Sequence, residues 1–203
     1  MQFVTPTAWE YKRNQVRMVA ILAQKRSIMP GQFHQQFTQF VTSYYEQQPK
    51  LISWADPEMA SPCQYGDVMD GEVHWRPIKA EAVLDLSKTQ QALELEFPAE
   101  LITFYTSFFG GGLKVKHEKG ELELLMSWHQ ADFERLQQNI IAHILMKRRL
   151  KQCETVFIAA TDHDDYLISV LVATGEVYLE KVGMEVKDLL APDLATFLTQ
   201  LSF

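Results

Sequence analysis

The chain has 203 residues, of which 47% are hydrophobic and 22% are charged, an ordinary balance for a globular domain that can bury a sizeable core. Its apolar runs are far shorter than the roughly 20 residues that cross a bilayer, and its two cysteines, Cys63 and Cys153, are too few for a disulfide framework. The net charge of −7 argues against a nucleic-acid-binding surface, which is normally basic. We therefore expect a cytosolic protein with reduced thiols and no nucleic-acid partner.

The first 28 residues differ from the rest of the chain in charge. Five cations against Glu10 give them a net charge of +4, which leaves −11 for residues 29–203. Their pattern suits a modestly amphipathic basic helix that ends at Pro30 and Gly31. A membrane-surface role is the alternative, although the segment lacks a large aromatic face. We predict that residues 1–28 are a loosely attached N-terminal extension and that residues 29–203 form one domain.

The domain begins with aromatic residues that recur at helical spacing. They predict a helix that ends before Pro49 and buries one stripe, formed by Phe33, Phe37, Phe40, Val41, Tyr44 and Tyr45. Residues 50–66 contain two prolines and a glycine, and we expect them to be irregular. Residues 70–78 then predict a turn followed by a short strand through Val73 and Trp75.

Three consecutive glycines follow the next predicted helix. That helix begins near Pro98, and its apolar face comprises Leu101, Ile102, Phe104, Tyr105, Phe108 and Phe109. A phosphate-binding loop needs a strand before its glycines and a helix after them, with Ser or Thr after its lysine. The order is reversed around Gly110–Gly112, and Lys114 is followed by Val115. We therefore interpret these glycines as the end of the helix, where a left-handed residue is common.

The second half of the chain supplies most of the predicted strands. Residues 113–128 alternate around Lys119–Gly120 and predict a hairpin. Residues 131–151 predict a helix whose basic C-terminus suits the helix dipole, with a lipid contact as the alternative; its buried stripe is Phe133, Leu136, Ile140, Ile144 and Leu145. Three strands follow, the last two joined at Thr174–Gly175, and a helix closes the chain after Pro192. Because neighbouring strands follow one another, we predict a single α+β domain with a mainly antiparallel central sheet flanked by helices.

Motifs for catalysis or metal binding are weak. The chain has no H-E-x-x-H, C-x-x-C or G-x-S-x-G pattern, and Cys63 has no neighbouring histidine. The run Asp162–Tyr166 (DHDDY) suggests either a metal site or an acidic hairpin loop, and the loop is favoured because calcium-loop spacing is absent. We expect no catalytic residue, no metal site and no cofactor.

Several long segments together resemble a known family. They include FPAELITFYTSFFGGG, LELLMSWHQADFERLQQNIIAHILMKRRLK and ISVLVATGEVYLEKVG, and they are similar to the SecY-interacting Syd family of proteobacteria over about residues 29–203. Syd-like proteins are similar in fold to the SUKH superfamily, which consists largely of binding and immunity modules. The resemblance implies a non-enzymatic protein, peripheral on the cytoplasmic side of the inner membrane, that binds SecY in the SecYEG channel and checks its assembly.

The resemblance also implies an electronegative concave surface. Clustering along the chain offers three groups of candidates for it: Asp67, Asp70 and Glu72; Asp162, Asp164 and Asp165; and Asp132 with Glu134. Cytoplasmic loops of membrane proteins are rich in Lys and Arg, so an acidic domain would be drawn to them and repelled by anionic lipid. The alternatives are an ordinary solvated surface for each residue, a soluble interaction or immunity module that binds another basic protein, and an unrecognised enzyme.

Overall fold

The computed structural model describes residues 30–55, 58–80 and 84–203. Over these ranges the chain forms five helices and eleven strands. The helices are α1 (Pro30–Gln47), α2 (Ser87–Leu93), α3 (Ala99–Thr106), α4 (Gln130–Arg149) and α5 (Leu194–Thr199). The strands are β1 (Leu51–Trp54), β2 (Gln64–Met69), β3 (Glu72–Trp75), β4 (Ile78–Lys79), β5 (Phe108–Phe109), β6 (Leu113–His117), β7 (Gly120–Leu124), β8 (Thr155–Thr161), β9 (Tyr166–Leu171), β10 (Val177–Lys181) and β11 (Asp188–Ala191). The predicted extension, residues 1–28, lies outside the described residues.

The main sheet has six strands in the order β11-β10-β9-β8-β7-β6, and every neighbouring pair in it is antiparallel. Helix α4 packs against β8, while α1, α3 and α5 pack on one another. The ring of Phe37 lies at the centre of this second group, 5.2 Å from the ring of Phe104. Two tyrosines tie these helices to the sheet: the Tyr105 hydroxyl donates to Phe157 O, and the Tyr44 hydroxyl accepts from Lys114 N. The predicted α+β fold with a mainly antiparallel sheet is confirmed.

A separate three-stranded antiparallel sheet, ordered β1-β3-β2, follows α1. The expectation that residues 50–66 are irregular is therefore wrong at both ends, because β1 and the start of β2 lie within that range. Strand β1 has only four residues, and its pairing partner β3 lies some 20 residues further along the chain. A run this short carries little periodicity of its own, and the pairing with β3 gives it its structure.

The three glycines do not end a helix. Helix α3 stops at Thr106, and the following Phe108 and Phe109 form β5, which pairs with β4. None of the three glycines has a positive φ. Glycine is required at these positions because other side chains lie against the backbone. A Cβ on Gly111 would come within 2.8 Å of Cζ2 of Trp75, and a Cβ on Gly112 would overlap the side chain of Glu123. The backbone of Gly110–Gly112 therefore packs directly against neighbouring side chains, and the helix-cap interpretation is wrong.

One position in the predicted stripe of α4 is also wrong. Leu145 is 52% exposed, whereas Lys147 is fully buried. The buried residues Ile140, Ile144 and Lys147 follow the four- and three-residue steps that keep side chains on one helix face, and Leu145 lies about 100° away from Ile144. The sequence pattern assigned the stripe by hydrophobicity, but the position that continues it is a lysine.

Candidate functional site

The first acidic group lies on the β2–β3 hairpin. Asp70 and Gly71 form its two-residue turn with φ values of 53° and 83°, the left-handed pair that a type I′ turn requires and that Asp-Gly adopts readily. The turn holds Asp67, Asp70 and Glu72 on one exposed hairpin. Within the described ranges, no lysine or arginine forms an ion pair with any of these three carboxylates.

The same small sheet carries an exposed apolar face, which the sequence reasoning missed. The register aligns Ile52, His74 and Tyr65 across the three strands, and in the next row Trp54, Glu72 and Met69. Paired residues point to the same side of a sheet, and the opposite side carries the buried Val73 and Trp75. We call the four hydrophobic members of these rows, Ile52, Trp54, Tyr65 and Met69, the Trp54 face. The four residues of β1 alternate too briefly to reveal this face, which forms only when β1 and β2 pair with β3.

The second acidic group forms the β8–β9 turn. The Thr161 hydroxyl accepts from His163 N and donates within the same turn, which gives the run DHDDY the hairpin role that was favoured over a metal site. Asp162, Asp164 and Asp165 are all exposed there. One of them is partly neutralised, since Asp165 lies 4.0 Å from the ammonium group of Lys181.

The third acidic group serves the start of α4. The side chain of His129 accepts from Asp132 N, and the Asp132 carboxylate accepts from Trp128 N at 2.8 Å. His129 thus caps one backbone donor that the helix leaves unpaired, and Asp132 holds the residue just before the N-cap, in an arrangement similar to a capping box. The same carboxylate lies 3.0 Å from Arg135, while Glu134 is exposed beside it. Asp132 therefore has a structural partner on each oxygen.

The three acidic groups do not converge on one element. The first belongs to the small sheet, the second to an end of the six-stranded sheet, and the third to a helix N-terminus. The small sheet contacts the segment just before α4, where the ring of Trp75 meets the ring of Trp128 edge-on at 5.9 Å. Ser61 adds a hydrogen bond to Trp128 O. Several exposed hydrophobic side chains lie on the small sheet with the first group, whereas the second group has Val182 beside it, 50% exposed and donating its N–H to Asp165 O.

A buried polar network joins α4 to the main sheet. The ammonium group of Lys147 donates to Glu180 Oε1 at 2.9 Å and to Met184 O at 3.0 Å. Thr155 and Ser169 donate their hydroxyl protons to Glu180 Oε2. Both charged side chains are fully buried, so each relies on the other because water cannot replace a missing partner. The basic C-terminus of α4 is therefore only partly a surface feature.

His143 completes this network and gives a prediction about pH. Burial lowers the pKa of His143, with Lys147 adding to that effect and Glu180 opposing it. Its Nε2 lies 2.9 Å from Thr155 Oγ1, and because that hydroxyl donates to Glu180, it is Nε2 that carries a proton and donates to Thr155. The unfolded chain binds a proton more readily than the folded one, so stability should fall as the pH drops below the ordinary value of 6.5.

We expect this loss to approach about 1.4 kcal/mol per pH unit between the two pKa values. His143→Gln retains an N–H donor but cannot titrate, and it should flatten the dependence. Urea unfolding between about pH 7.5 and 5 measures it. His34→Gln, at an exposed position, serves as the control and should retain the wild-type slope. An unchanged slope in His143→Gln would assign the pH dependence to other groups.

Two further observations concern chemistry and membranes. Burial raises the pKa of the Cys63 thiol, which makes it a poor nucleophile at neutral pH because the thiolate is the reactive form. Within residues 30–55, 58–80 and 84–203, no three His, Cys, Asp or Glu side chains are grouped to hold a metal ion. No helix in those ranges has both the length and the apolar character needed to cross a membrane.

Comparison with known proteins identifies the family. A family model described as Syd protein (SUKH-2) matches residues 31–202. Protein Syd of Pseudoalteromonas atlantica is 43% identical over 149 residues, which cover 72% of this chain and 80% of the relative. Protein Syd of Alteromonas mediterranea is 41% identical over 170 residues, covering 82% and 94%, and that of Psychromonas ingrahamii is 38% identical over 162 residues, covering 79% and 88%. The resemblance drawn from the sequence is confirmed: the chain belongs to the Syd protein family.

Proposed function

We propose that the protein binds the cytoplasmic face of SecY in the SecYEG channel through its acidic surface, and that this binding checks or regulates assembly of the channel. The β2–β3 hairpin supports this proposal, because its three carboxylates are exposed and have no cationic partner in the described part of the chain. Lysine- and arginine-rich cytoplasmic loops are the complementary surface. Membrane association would then be peripheral and would depend on the protein partner, since anionic lipid repels an acidic domain.

The charge of the hairpin should set the affinity. Replacing its acids by Asp67→Lys, Asp70→Asn and Glu72→Lys is expected to weaken binding to SecYEG in lipid nanodiscs at least tenfold at low salt, because attraction becomes repulsion. Asparagine is chosen for position 70 because it tolerates the positive φ there. Wild-type affinity should also fall as the salt concentration rises from roughly 50 to 500 mM, since screening shortens the reach of exposed charges. Biolayer interferometry on immobilised nanodiscs measures both.

A control of equal charge change separates a local effect from a global one. Glu46→Lys, Glu96→Lys and Asp188→Asn alter exposed acids on α1, after α2 and on β11, and together they add the same charge as the hairpin variant. A third variant carries Asp162→Lys, Asp164→Asn and Asp165→Lys and tests the β8–β9 turn. The electrostatic proposal is wrong if the hairpin and turn variants combined bind like the wild type and salt has no effect.

The other candidate function is a soluble interaction or immunity module that binds a different basic protein. Its support is the description of the matching family model as SUKH-2. Fractionation of cells with normal and overproduced SecY distinguishes the two. Recruitment to membranes in proportion to SecY supports the first candidate, whereas an unchanged distribution supports the second.

A further inference from the structure

The Trp54 face is an unpartnered apolar surface in the described part of the chain. Trp54 and Met69 are 72% and 73% exposed, and Ile52 and Tyr65 are 53% and 37% exposed. Single exposed hydrophobic residues are common, but four on one face of a small sheet, two on β1 and two on β2 with His74 and Glu72 between them, mark a surface that something covers. The ring of Trp54 also has a defined position, because it lies across the backbone of Gly71, where a Cβ would come within 2.8 Å of it.

Charge restricts what can cover this face. Glu72 lies between Trp54 and Met69 in the register, so a carboxylate stands inside the apolar row, with Asp67 and Asp70 beside it on the hairpin. Strands β1, β2 and β3 contain no lysine or arginine. An anionic lipid surface would meet these three carboxylates unfavourably, and a second copy of the face would place like charges together.

We infer that the Trp54 face is a docking surface for a basic amphipathic polypeptide segment, with hydrophobic side chains that pack on Trp54 and Met69 and a lysine or arginine that reaches Glu72. An exposed indole ring is a favourable surface for such a cation. At the other end of the face, the guanidinium group of Arg76 already lies 5.9 Å from the centre of the Tyr65 ring. The inference rests on the proposed function in one respect only: under it, the segment is a cytoplasmic loop of SecY.

The test removes apolar surface without changing charge. Trp54→Thr with Met69→Thr keeps residues that favour strands. The control, Val182→Thr with Leu189→Thr, alters two hydrophobic residues on the main sheet that are 50% and 52% exposed. We expect the Trp54 and Met69 variant to bind SecYEG nanodiscs at least tenfold more weakly at both low and high salt. The control should bind like the wild type. Circular dichroism and thermal unfolding verify that both variants fold.

The outcomes separate this inference from the proposed function. If the Trp54 and Met69 variant binds SecYEG with the affinity of the wild type, the docking surface is overturned and the SecY proposal remains intact. If the wild type does not bind SecYEG, the SecY proposal fails. The docking surface is then tested with a synthetic amphipathic peptide of leucine and lysine, titrated against the wild type and against the Trp54 and Met69 variant. If the peptide binds the wild type and this binding depends on Trp54, the docking surface is supported. Absence of such binding overturns it, as does Trp54-dependent binding to anionic vesicles or a Trp54-dependent dimer in sedimentation.

Discussion

Replacing Lys147 with methionine is expected to lower the free energy of unfolding by about 3–5 kcal/mol. Methionine fills a similar volume, so packing changes little, but the substitution leaves the fully buried carboxylate of Glu180 without its cation. The hydroxyl groups of Thr155 and Ser169 still donate to that carboxylate, yet they cannot neutralise it. Chemical denaturation with urea, followed by tryptophan fluorescence, measures the loss.

A neighbouring cation provides the control. Arg149 lies two residues further along α4 and is exposed, so Arg149→Met should change stability by less than about 0.5 kcal/mol. Adding Glu180→Gln to Lys147→Met removes the orphaned charge while retaining an oxygen that accepts from both hydroxyls. We expect the double variant to be more stable than Lys147→Met alone. A loss below about 1 kcal/mol in Lys147→Met would contradict the pairing.

The buried pair matters for the surface as well as for the core. It fixes α4 on the main sheet near the C-terminal end of the helix, through Glu180 on β10. At the other end of α4, Trp128 packs edge-on against Trp75 of β3. The helix therefore connects the main sheet to the small sheet that carries the Trp54 face, and the same core cluster contains residues of both sheets.

Sequence periodicity predicted the elements whose partners are close in the chain. The β6–β7 hairpin and the β9–β10 hairpin have short turns and clear alternation, and both are confirmed. The aromatic stripe of α1 is confirmed in its fully buried members, Phe33 and Phe37. These features follow from local pattern because each element satisfies its backbone within itself or with its immediate neighbour.

The features that depend on distant contacts were missed. Lys147 is buried because Glu180 lies opposite it, 33 residues away, and a hydrophobicity pattern contains no such information. The small sheet exists through the pairing of β1 with β3, so the Trp54 face could not be assembled from β1 alone. For the acidic candidates, composition gave the residues but not their surroundings. Asp132 holds the start of a helix and Asp165 has a lysine partner, whereas Glu72 lies in a row with Trp54.

The close packing at Gly111 gives the second large expected effect on stability. Gly111→Ala should destabilise the protein by about 1–3 kcal/mol, because the new methyl group would lie 2.8 Å from the ring of Trp75. That ring is 3% exposed and packs against Trp128, so it has little room to move. The loss should exceed the gain of up to about 1 kcal/mol that replacing glycine usually brings through the unfolded chain. Thermal and urea unfolding measure the balance.

Two companion variants determine whether the ring is the cause. Gly31→Ala places a methyl group in α1 where no described atom lies within 4 Å, and it should be neutral or stabilising because alanine favours helices. Trp75→Leu removes the indole ring that the methyl group of Gly111→Ala would strike. If the clash is responsible, Gly111→Ala should cost clearly less in the Trp75→Leu background than in the wild type. Equal costs in both backgrounds would mean that the backbone itself requires glycine, and the explanation by close packing would then be wrong.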